Sequence, residues 1–192
     1  MENSNINRHF KTLYEQRKDF LDAVSRLDEQ TIRTSPQAGK WSIIETHYHL
    51  YLMVKRLRQL NRFYFPLLKP IARLRKKQPY SAVSGDIYSE EARRNKKSLK
   101  APAVLMPPEG EKIKLSLAEL TQMTDLETKR LEEMTVCLDE RVAGHIRYPD
   151  PVAGFPNVIQ SVHLLAIHEK HHFTLCGRYY HFRALGNLES LE

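Results

Sequence analysis

Two cysteines, seven glycines and a single tryptophan in 192 residues exclude several classes of protein at the outset. Cys137 and Cys176 lie far apart and form no metal-binding or redox pair, so no disulfide framework holds the fold and a reducing cytoplasm is the expected compartment. No apolar run approaches the ~18 residues that a membrane span requires. The first residues, Met1-Glu2-Asn3-Ser4-Asn5, lack the basic start and apolar stretch of a leader, so a soluble, unprocessed chain with no membrane partner is expected. What is present is a 41% hydrophobic content, enough for one globular domain over residues 1–192 with a core of its own.

The formal charge of +7 is unevenly spread. Most of the excess falls on Lys69, Arg73, Arg75, Lys76 and Lys77, and then on Arg93, Arg94, Lys96, Lys97 and Lys100. A solvated basic surface accounts for this run. Phosphate or nucleic-acid binding is the alternative, but no recognition motif with interleaved aromatics accompanies it.

Apolar periodicity lays out four long helices. Ile6, Phe10, Leu13, Phe20, Val24 and Leu27 recur at helical spacing from Asn5 to about Leu27, and Ser35-Pro36-Gln37-Ala38-Gly39 breaks the pattern. Ser42 and Glu45 have the spacing of a capping box, which starts a second helix that the pattern carries to about Phe65, where Pro66 and Pro70 interrupt it. Ser116 and Glu119 repeat the spacing before a third helix reaching Leu138, and a fourth runs from about Asn157 to Tyr180. A short basic helix around Ser89 to Leu99 and the proline-rich run from Ala101 to Pro108 make a long link between helices two and three. A connection of that length lets those two helices run in the same direction. No segment alternates as a strand, so the expected fold is all-α, a four-helix bundle with a long crossover between helices two and three.

The histidines carry the chemistry. His168 and His172 stand at i and i+4, where side chains on a helix project together at a separation of ~5–6 Å, and both fall on a stripe with Leu165, Leu175 and Tyr179 that reads as core-facing. Two imidazoles one turn apart suit a shared metal ion. His47 and His49 on helix two are candidates for a third ligand. Being two residues apart they cannot both face one ion, and geometry alone leaves the choice open, with Glu45 available to hydrogen-bond the ligating ring. His168-Glu169-Lys170-His171-His172 also satisfies the H-E-x-x-H pattern of zinc proteases, but few ligand types follow it and no strand is available to hold a peptide. His163 and His171 read as outer or surface residues, and His9, His145 and His181 show no partner pattern.

Two segments together resemble a known family. Trp41-Ser42-Ile43-Ile44-Glu45-Thr46-His47-Tyr48-His49-Leu50 is similar to the W-S-x-x-E-x-x-x-H-L helix start of the DinB/YfiT-like superfamily. Pro151-Val152-Ala153-Gly154 followed by His168-Glu169-Lys170-His171-His172 is similar to its P-x-x-G and H-x-x-H-H pattern. The resemblance implies a four-helix bundle with a long second crossover, frequently a homodimer, with zinc or nickel bound by His49, His168 and His172. Many relatives carry Gln three positions after the second ligand of the pair, where this chain has Leu175.

Three neutral imidazoles leave an open position on a divalent metal, the arrangement of reactive sites. The resemblance implies a metal-dependent thiol S-transferase acting on a small-molecule thiol and an electrophile. A metal-dependent hydrolase, or a non-catalytic metal-binding stress-response bundle, is the alternative. Neither cysteine sits in an activated constellation, so the nucleophile is expected to come from outside.

Overall fold

The computed structural model describes residues 4–85, 101–150 and 153–182. Among these, the chain forms α1 (Ser4–Val24), α2 (Glu29–Arg33), α3 (Ile43–Arg75), α4 (Leu117–Val136), α5 (Glu140–Ala143) and α6 (Val158–Tyr179), with short 3-10 turns at Ala103–Leu105 and Gly110–Lys112. No strand occurs among the described residues, where the one extended pairing is an isolated bridge between Arg147 and Asn157. The fold is all-α, as the periodicity implies. The basic segment expected to be helical from Ser89 to Leu99 lies outside the described residues.

Three long helices start at capping boxes. Ser42 and Ser116 each accept from the backbone N–H three residues on while Glu45 and Glu119 reach back to the cap amide. The third box, Asn157 with Gln160, opens α6 and uses amides in both roles. The short helices were not anticipated. Asp28 caps α2 by accepting from the Thr31 amide, and Asp139 caps α5 by accepting from the Arg141 amide.

The largest departure from expectation is the length of α3, which passes through Pro66 and Pro70 and continues to Arg75. Both prolines are exposed and four residues apart, so the carbonyls they leave without helical donors, those of Arg62 and Pro66, lie on the watered side. The opposite side stays anchored by buried Phe65 and Ala72.

Side-chain contacts give the relative direction of the helices. Between α3 and α4, His47 meets Thr121 and Arg58 meets Glu127, so residue numbers rise together and the two helices run the same way. Between α1 and α6, His9 stacks on His163 and Phe20 on Phe173, again in the same sense. Between α1 and α4 the order reverses, with Tyr14 on Glu132 and Arg17 on Asp125. The shared direction of α3 and α4 is the one that a long link between them allows.

Two apolar clusters fill the interior. One gathers Ile6, Phe10, Leu13, Leu131, Ile146 and Ile159, and the other Phe20, Ile43, Ile44, Leu50, Leu120 and Phe173. A polar layer separates them. Arg17, 2% exposed, donates to Glu169 at 2.8 Å, to Asp125 at 2.6 Å and to Thr128 at 3.1 Å. Gln16 donates to the Ala166 carbonyl at 3.1 Å beside it. Burial pushes the Glu169 carboxyl above its ordinary value and the Arg17 charge opposes that rise.

Candidate metal centre

The Ser42 cap makes His49 the seventh residue of α3, on a position 2% exposed. Its Nδ1 lies 2.7 Å from the Leu105 carbonyl in the 3-10 turn, which accepts the ring proton there. That bond sets the tautomer, leaving a lone pair on Nε2. Glu45 does not contact this ring, contrary to the outer-shell role the spacing suggested. One carboxylate oxygen caps Ser42, and the other accepts from the Gly110 amide at 3.0 Å.

His168 and His172 approach from α6. Their ring centroids are 4.5 Å apart, and each lies about one ring's width from His49, at 5.1 and 5.0 Å. The Nε2 atoms of His49 and His168 are 2.9 Å apart, and the ligating atoms of all three residues lie within 4.8 Å of one another. Two nitrogens on a tetrahedral zinc, each at ~2.0–2.1 Å, are separated by roughly 3.3 Å, so the cluster stands close to ligating geometry. Among the described residues, no other group of three or more His, Cys, Asp or Glu side chains is placed to hold a metal.

The electrostatics suit a cation as well. Burial lowers the pKa of His168 to about 3, with the neighbouring His49 and His171 rings adding to the effect, and it holds His172 well below the ordinary histidine value. His49 is lowered by burial while its Leu105 bond opposes the shift. All three are therefore neutral at pH 7, the state in which imidazole ligates.

Trp41, which sequence reasoning left without a role, closes one side. Its ring lies 4.8 Å from His49 and stacks on His172 at 5.9 Å with 19° between the planes. The signal that could have found it is its place as the first residue of the W-S-x-x-E-x-x-x-H-L motif.

The stripe containing His168 and His172 is not the core-facing one. Glu169, Phe173 and Cys176 are buried, while His168, His172 and Leu175 are only partly so. A charged residue at 169 hides the true core face from a periodicity reading, and the buried Arg17 makes that position tolerable. Glu169 thereby turns away from the cluster, which removes the general base that the zinc-protease pattern needs.

The remaining histidines divide into other roles. His47 is fully buried against α4, its Nε2 3.4 Å from the Thr121 hydroxyl, and takes no part in the cluster. His171 touches His172 edge-on at 5.5 Å. His9, which showed no partner pattern in the sequence, and His163, read there as an outer or surface residue, stack at 4.4 Å, and His163 Nδ1 accepts from the Ser84 amide at 3.2 Å.

A protein-family model described as the DinB superfamily matches residues 12–176, from within α1 through the last histidine of the cluster. The chain belongs to the DinB superfamily. No curated protein and no solved structure matches it. Within this superfamily member, the cluster draws one histidine from the N-terminal part of α3 and two from α6, helices that share the packing around Leu50 and Phe173. No helix among the described residues is long and apolar enough to cross a membrane.

Proposed function

We propose that this DinB-superfamily protein binds zinc or nickel through His49, His168 and His172 and transfers a small thiol onto a small-molecule electrophile. The observation that carries the proposal is the convergence of three neutral imidazoles, two of them partly exposed, from two different helices. A zinc or nickel ion held by three imidazoles supplies Lewis acidity that brings an added thiol toward its thiolate at neutral pH.

The chain's own residues have supporting tasks. His49 is oriented by the Leu105 carbonyl, and Trp41 shields His49 and His172 on one side. Neither cysteine is equipped as a nucleophile. Burial pushes the Cys176 thiol up to about 11, which keeps it protonated, and Cys137 donates to the Glu133 carbonyl at the exposed end of α4. Hydrolysis assisted by Glu169 is disfavoured by the commitment of that carboxylate to Arg17.

Leu175 favours one second reading, a metal-binding bundle without catalysis, because an apolar side chain stands where many relatives carry an amide. Elemental analysis of protein purified without a histidine tag, followed by thiol conjugation to a panel of electrophiles, separates the two. Metal-dependent conjugation that persists in the Cys137→Ser/Cys176→Ser double variant supports the transferase. Metal retention without turnover supports the binding protein. Loss of turnover in Cys176→Ser at unchanged metal content would overturn the proposal of an external thiol.

A further inference from the structure

The C-terminal half of α3 is apolar on two opposite faces. Phe65 and Ala72 line its buried side. On the other side Phe63, Leu67, Ile71 and Leu74 recur every three or four residues and are 70%, 70%, 51% and 87% exposed. Helical residues at this spacing share one face, so the four side chains form a continuous apolar stripe. Isolated exposed leucines are ordinary, but a contiguous apolar stripe marks a surface with a partner.

Charge identifies the partner's chemistry. From Lys55 to Lys77 the chain contains no Asp or Glu, and exposed Arg62, Arg73, Arg75 and Lys77 border the stripe. A second copy seated on the stripe by two-fold symmetry would bring these cations against their own kind. A nucleic acid would meet the cations but leave Leu67, Ile71 and Leu74 in water. A surface that is apolar beneath and anionic at its boundary satisfies both features.

We propose that the face formed by Phe63, Leu67, Ile71 and Leu74 docks on an anionic lipid surface, its apolar side chains entering the acyl boundary and the flanking arginines and lysines meeting the headgroups. The contact is peripheral, since no described helix can span a bilayer. It is independent of the histidine cluster, which lies toward the other end of α3.

The test is co-sedimentation of the full-length protein with phosphatidylcholine vesicles, with and without phosphatidylglycerol. The expected result is retention on the anionic vesicles, release at high salt and little retention on phosphatidylcholine alone. Leu67→Glu/Leu74→Glu and, separately, Arg73→Glu/Lys77→Glu should each reduce retention by at least about tenfold, with helical circular dichroism unchanged because all four side chains are exposed. Retention unaltered in both variants, or equal on the two vesicle types, would overturn the proposal. So would failure to bind vesicles, whether the wild type proves to be a dimer that Leu67→Glu/Leu74→Glu dissociates, retains DNA in a salt-sensitive manner, or does neither.

Discussion

A helical residue two positions from another points about 200° away from it, and that rotation separates the fates of His47 and His49. His47 is directed into the core toward Thr121, whereas His49 is directed toward α6 and its two histidines. Loss of an outer-shell partner costs roughly 10–100-fold in metal affinity, and loss of a ligand should cost more. His49→Ala, His168→Ala and His172→Ala are each expected to lower zinc or nickel content below a tenth of wild type by plasma emission analysis, while His171→Ala retains it. Full occupancy in all three ligand variants would refute the assignment. Arg17 and Glu169 make a second residue-scale case, being a 2.8 Å ion pair with each side chain 2% exposed. Removing one partner of such a pair strands a buried charge at a cost of about 3–5 kcal/mol. Arg17→Met should therefore lose about that much in urea unfolding, and Arg17→Met/Glu169→Leu should recover most of it. A double variant no more stable than the single would show that the pair contributes net stability.

At the scale of the element, α3 and α6 are the two helices whose sequences mislead. Prolines 66 and 70 suggest a stop, yet the helix continues to Arg75 because the lost hydrogen bonds fall on its exposed side. A proline inside a helix costs ~3 kcal/mol, offset in part by the restriction it places on the unfolded chain. Pro70→Ala is accordingly expected to raise unfolding free energy by about 1–3 kcal/mol. A destabilised Pro70→Ala protein would mean that the proline shapes the helix rather than merely surviving in it. In α6 the misreading is one of rotation. The buried face holds Glu169, Phe173 and Cys176, about 100° from the stripe through His168 and His172. The cluster therefore stands at the margin of the core, with His168 and His172 partly exposed.

The whole molecule carries an excess of neutral buried histidine, and its stability should respond to acid. Burial lowers the pKa of His9 to about 4 from an ordinary 6.5, assisted by His163 and Arg8. The unfolded chain then binds a proton at pH values where the folded chain does not. Stability is full above pH 6.5 and falls as the pH drops through the window down to about 4, with a slope of up to about 1.4 kcal/mol per pH unit for each such residue. His9→Gln should flatten that slope without abolishing it, since the other buried histidines contribute in the same sense. An unchanged slope by urea titration across the window would count against the stacked pair. Metal removal should have little effect on the fold, because the two apolar clusters exclude His49, His168 and His172. Chelated protein should keep most of its helical circular dichroism, unlike domains whose folding is metal binding.

Much of this was legible in the chain itself. Helical periodicity, the Ser42 and Ser116 capping boxes and the length of the second link are local or one-dimensional properties, so they marked out four long helices and left room for a crossover without reference to packing. The i, i+4 spacing of His168 and His172 is of the same kind. The choice of His49 over His47 was not determined by spacing, and followed only from a resemblance until the pairing of α3 with α6 brought His49 to the cluster. Other features depended on contacts between distant segments, to which no periodicity is sensitive. These include the Leu105 carbonyl on His49, the stacking of His9 on His163, and the Arg17 pairing that turns Glu169 inward. A charge on a helix face reads as solvent-facing until its partner is known, and here the partner stands on another helix, 152 positions away in the chain.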